Sequence, residues 1–184
     1  MGETATGDKL VWGHTVEGLV RCGKPRATPK WIERLRGAGL DIEKPVAAVY
    51  TRDQWSSFLK ISAEELFEGP MELRLEELGN AFIDEYAKTF LGSAVATVIR
   101  VIGMKRAIER MTKSLRSGNN YSETKATFTG PRRAEFWLND CLGMPTYICG
   151  ALAAILRRTG TDSVRVVTMS MTGVEVILEI TWDE

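Results

Sequence analysis

The chain has 184 residues, 44% of them hydrophobic, and its 24 Lys and Arg offset 24 Asp and Glu. That is the size of one domain with a core of its own, and the interleaved charges build no single-sign field, which argues against nucleic acid and against a membrane surface as partner. Cys22, Cys141 and Cys149 form no CxxC pair and stand beside no His cluster, so they read as reduced thiols of a cytoplasmic protein rather than as zinc ligands.

Residues 1–8 are small and polar and predict a loose tail; 9–184 read as a single domain, with a helical part over 9–117 and a sheet part over 118–184. The opening MGETATGDKL carries no apolar h-region, so neither a signal peptide nor an integral membrane segment is expected there. Thr6 completes the loose N-myristoylation pattern, a match short enough to arise by chance.

Leu10-Val11-Trp12 is a short apolar lead into a helix over His14–Val20, with Val16, Leu19 and Val20 on one face. Thr28-Pro29 starts the next helix, Trp31, Ile32 and Leu35 give its buried stripe, and Gly37 and Gly39 stop it. Asp41 to Val49 reads as a connection held by Pro45. Thr51 and Gln54 form a capping box, after which Trp55, Phe58, Leu59, Leu66 and Phe67 recur at helical spacing until Gly69-Pro70. From about Glu72, Leu75, Leu78, Phe82, Ile83, Tyr86 and Phe90 are expected to face the core. Gly92 to Ile102 is apolar nearly all round, which predicts a helix in the middle of the bundle. Met104 to Arg116 returns to an amphipathic pattern ending at Gly118, its Lys and Arg residues forming a solvated face or a docking face.

From Tyr121 the period changes from 3.6 to 2. Tyr121–Thr129 and Ala134–Asn139 read as strands around a Gly130-Pro131 turn, Pro145–Thr159 as a helix, and Ser163–Ser170 and Val174–Trp182 as a second hairpin around Thr172-Gly173. The fold class is therefore α+β, a helical bundle on an antiparallel sheet of about four strands in a β-β-α-β-β half.

The chemistry concentrates between Gly118 and Gly160. Trp137, Asn139 and Tyr147 are expected to approach one end of the sheet, with Tyr121 at the helix-to-strand corner after Asn119-Asn120, and together they offer the apolar lining and few polar groups that a pocket needs. Cys149 lies in the first turn of its helix, where the dipole favours thiolate, yet Ile148, Ala151, Leu152 and Ile155 surround it and point to a buried thiol. His14, the single histidine, has no second His and no nucleophile beside it and reads as a packed or capping residue. Ser62, Ser114 and Ser170 lack an elbow motif and no GxGxxG or P-loop is present, so no catalytic residue is nominated and an enzyme is not expected.

The runs GHTVEGLVR, RAIERM followed by SLRSGNNY, and EFWLND resemble a family of paralogous myxobacterial proteins of unknown function, over nearly the whole stretch from Leu10 to Trp182. At greater distance, two strands, then Pro145-Thr-Tyr-Ile-Cys-Gly-Ala-Leu, then a hairpin, is similar to the superfamily of haem NO-binding domains, 4-vinyl reductase domains and TRAPP trafficking subunits. That likeness implies a helical layer on a curved sheet which either encloses an apolar ligand or dimerises as an adaptor. The haem-binding members need an axial His on a helix ahead of the sheet and a Tyr-x-Ser-x-Arg triplet. Here the triplet positions read Trp137-Leu-Asn139-Asp-Cys141 or Tyr121-Ser-Glu123-Thr-Lys125, and the one His is at position 14, so no cofactor is expected. The resulting expectation is a non-catalytic cytosolic sensor for an apolar small molecule, with a site of Tyr121, Trp137, Asn139, Tyr147 and Cys149. The alternative is a homodimeric adaptor that docks a protein partner through Met104 to Arg116.

Overall fold

The computed structural model describes residues 8–161 and 163–183, apart from the side chains of Phe90, Leu91 and Val95. Most of the expected tail, the Thr6 pattern and the core role expected of Phe90 therefore lie outside what is described. Strand β1 (Leu10–Trp12) pairs antiparallel with β2 (Val49–Thr51), with Val11 opposite Tyr50, so the apolar lead and the end of the Pro45 connection form a small sheet that the sequence pattern did not reveal. Helix α1 (Gly13–Gly23) outlasts its expected end at Val20 by one turn and buries Val16, Leu19, Val20 and Cys22. In α2 (Pro29–Gly37) the Thr28 hydroxyl accepts from the Trp31 amide at 3.1 Å, and in α3 (Arg52–Leu66) Thr51 and Gln54 close both bonds of the capping box.

Helix α4 (Met71–Tyr86) buries Leu75, Leu78, Phe82 and Ile83 as its period requires. Helix α5 (Phe90–Glu109) merges two segments expected to be separate, kinked where Gly103 takes φ +74°, and α6 (Met111–Arg116) follows directly. The expectation that the 92–102 stretch lies in the middle of the bundle is corrected. Val98 is 51% and Val101 79% exposed, and only Gly92 and Ile99 of its described side are buried. An apolar helix needs a partner on every side to be central, and here the sheet and its packing helix leave α5 on the outside.

Strands β3 (Thr124–Gly130), β4 (Arg133–Leu138), β5 (Val164–Thr172) and β6 (Glu175–Trp182) form the antiparallel sheet in the order β3-β4-β6-β5. Alternation sends Ala134, Phe136, Leu138, Val176, Leu178 and Ile180 to the inner face, and each is essentially buried. The α+β expectation, a helical bundle on a four-stranded antiparallel sheet, holds.

Helix α7 (Pro145–Arg157) lies between two hydrophobic cores. Tyr147, Ala151 and Ala154 belong to the core of the helical bundle; Cys149, Leu152, Ala153 and Leu156 belong to the core under the sheet; Ile148 and Ile155 touch both. Its crossing with α4 is backbone on backbone. A Cβ on Gly150 would stand 2.1 Å from the Glu76 carbonyl oxygen, and one on Gly79 would stand 2.3 Å from that of Tyr147. Only two glycines, one from each helix, allow this approach.

Candidate functional site

Where the two cores meet they do not close completely. A cavity of about 130 Å³ lies there, comparable to one that accommodates a single aromatic ring. Phe82 and Ile83 of α4, Ile99 of α5, and Ala151 and Ile155 of α7 give it an apolar wall, completed by Leu142 from the β4–α7 loop. Among its described side chains, helix α5 contributes Gly92, Ala96 and Ile99, small or aliphatic residues on one face.

Asp140 is the most heavily bonded group on this wall. Its side chain is fully buried and accepts from Arg52 Nε and Nη2, both at 2.9 Å, from Lys9 Nζ at 2.8 Å and from the Leu142 amide at 3.0 Å. Burial alone would raise its pKa, but the Arg52, Lys9 and Leu142 bonds outweigh burial and hold it below the usual carboxylate range. Arg52 is raised in return, chiefly by its bond to Asp140. With every acceptor position engaged, Asp140 fastens the residue before β1, the start of α3 and the loop before α7 to one another and has nothing left for a ligand.

Two other wall residues differ. Tyr86 Oη and Arg158 Nε are buried polar atoms without a hydrogen-bond partner. Burial raises the Tyr86 pKa against an opposing contribution from nearby Ser117. Arg158 spends Nη2 on Asp84 at 2.9 Å and leaves Nε unpaired. Unmet buried donors are costly and uncommon in folded proteins, so both mark places where a further polar atom would be welcome.

Of the residues nominated from the sequence, Tyr121 and Tyr147 line the cavity, and burial raises the pKa of each. Tyr121 lies just ahead of β3 rather than within it, with Lys9 Nζ 5.6 Å from its ring centre. Trp137, Asn139 and Cys149 are not brought to the cavity. Trp137 alternates onto the outer face of the sheet, where Lys125 lies 5.1 Å from its ring and its Nε1 donates to Glu175 at 3.3 Å. Asn139 spends its amide on the Glu123 N–H and the Tyr121 carbonyl, closing the loop. Cys149 faces the sheet beside Thr168, and burial pushes its thiol pKa up, the opposite of an activated thiolate. Tyr86, Asp140 and Arg158 were not nominated. Chain distance hid them: Asp140 meets its cations from Lys9 and Arg52, far away in the sequence.

Haem does not fit this wall. The α5 face carries no donor, and His14 lies outside the lining, with Nε2 donating to the Ser117 carbonyl at 2.8 Å. In the Tyr121-x-Glu123-x-Lys125 triplet, Glu123 bonds Arg116 at 3.0 Å and Lys125 lies over Trp137 on the outer face. A porphyrin is also several times larger than the cavity.

The family model described as a protein of unknown function, DUF2378, matches residues 9–183. No curated protein matches the chain. Among solved structures it is similar to a doubly substituted Tt H-NOX, with a TM-score of 0.73 at 10% identity over 94% of this chain and 95% of that one. It is also similar to the Fe(II) unliganded H-NOX protein from K. algicida, with 0.66 at 11% identity over 94% and 97%. A third is an oxygen-binding H-NOX domain related to soluble guanylate cyclases, with 0.63 at 11% identity over 94% and 95%. At such identities the likeness is one of fold.

Proposed function

The chain belongs to the DUF2378 family of proteins of unknown function and has the fold of H-NOX domains, and from that premise we propose that it is a cytosolic, non-catalytic sensory domain that binds a small apolar molecule without haem. We place it among the myxobacterial paralogues that its motifs resemble. The observation that carries this reading is the cavity of about 130 Å³ between the bundle and the sheet, walled by apolar side chains and containing two unmet polar atoms. Tyr121 and Tyr147 are the nominated residues that remain in the proposed site. Toluene is a suitable neutral probe. Saturable shifts of wall resonances in an NMR titration, lost when Ala96→Phe fills the space, are the expected result. An absence of saturable shifts in the wild-type chain would overturn the reading.

The adaptor reading draws support from one specific feature, the exposed Val98 and Val101 on α5. It shifts the docking face from Met104–Arg116, where Ile108 and Met111 are buried and the charged residues face outward. Sedimentation equilibrium tests it: a dimer that becomes monomeric in Val101→Lys supports the adaptor, and a monomer at all concentrations removes it.

A further inference from the structure

We infer that the ligand is a small apolar monocarboxylate whose carboxylate is received by Arg158, an inference that rests on the cavity being the binding site. The cavity admits a body the size of one aromatic ring or a short alkyl chain, and its wall offers such a body Phe82, Ile83, Ile99, Ala151 and Ile155. Among its described lining residues Arg158 is the only Lys or Arg, and Asp140 the only carboxylate. The carboxylate is saturated by four donors, so it neither competes for the guanidinium nor remains available to a cationic ligand. Arg158 is anchored through Nη2 to Asp84, and its buried Nε lacks an acceptor. A guanidinium held at one nitrogen and unmet at another is suited to an oxyanion, the acceptor that gives the strongest bond to such a donor.

Tyr86 supplies a second, weaker point of contact. It lies two residues from Asp84 on α4, about 200° around the helix, so its unmet hydroxyl meets a different part of the ligand from the carboxylate. The neutral hydroxyl is worth less than the charged donor and serves orientation rather than charge selection.

Benzoate and benzyl alcohol share a phenyl body and differ in the head group, so calorimetric titration of both into the full chain isolates the role of Arg158. Wild type is expected to bind benzoate at least about tenfold more tightly than benzyl alcohol, the scale of one charged hydrogen bond. Arg158→Gln is expected to erase that preference, and a cooperative melt close to that of wild type shows that the variant folds. Tyr86→Phe is expected to weaken both ligands by no more than a few-fold. Equal binding of the two ligands by wild type, or a benzoate preference that survives in Arg158→Gln, overturns the carboxylate inference and leaves the cavity reading standing. If neither ligand binds, the carboxylate inference falls, and the toluene titration decides whether the cavity reading falls with it.

Discussion

The 92–102 stretch of α5 and helix α7 are both apolar on nearly every side, yet one lies largely exposed along the cavity and the other is buried between two cores. The difference comes from shape and not from hydrophobicity. Helix α7 has Gly150 where α4 has Gly79, so the two backbones approach until side chains on either flank interlock. Helix α5 has such an approach at its first turn, where Gly92 lies against the Tyr86 carbonyl, but farther along Val98 and Val101 stay in water. A rigid wall and a lightly held wall thus enclose the same cavity, and the second is the one expected to yield when a ligand enters.

Four substitutions test that contrast. The largest loss is expected from Gly150→Ala, because the new Cβ would stand 2.1 Å from a backbone oxygen that cannot move without separating the helices. A cost of about 3 kcal/mol in urea unfolding is expected; a loss below about 1 kcal/mol would mean that the crossing is looser than described.

Next comes Asp140→Asn, which removes the charge that Arg52 and Lys9 share. Both cations reach solvent in part, so the expected cost is about 2 kcal/mol rather than that of a wholly buried pair. Because the folded pKa of Asp140 is depressed, its contribution is fully present above the unfolded value of about 3.9 and is lost as pH falls through the folded value. The variant should therefore show a shallower loss of stability than wild type as pH falls below about 4. Parallel pH profiles would place the stabilisation elsewhere.

Gly103→Ala at the α5 kink meets no neighbouring atom, so its cost is the backbone strain of φ +74° and ψ 173° alone, up to about 2 kcal/mol. The smallest effect is expected from Val101→Lys, within about 0.5 kcal/mol in thermal unfolding at low protein concentration. A larger loss would show that α5 is covered in solution by a second chain.

Legibility followed the range of the interactions. Thr28-Pro29, the Thr51/Gln54 box and both hairpins were readable because three or four neighbouring residues decide them. The β1–β2 pair was hidden because a three-residue strand has too short a period to register, and its partner lies some forty residues away. Strand parity holds a signal for Trp137: it shares a face with Arg133 and Glu135, opposite Ala134, Phe136 and Leu138, which places it outside. Asp140 shows the harder limit. Its partners Lys9 and Arg52 are 131 and 88 positions away, and no local pattern ties a carboxylate to cations so distant in the chain.

A helix that is a wall of two cores also binds their fates together. The bundle cannot keep its packing once the sheet releases Leu152 and Leu156, and the sheet cannot keep its own once the bundle releases Tyr147 and Ala151. Melting one half therefore removes part of the enthalpy of the other, and the halves on either side of Gly118 are expected to unfold in a single calorimetric transition rather than one after the other.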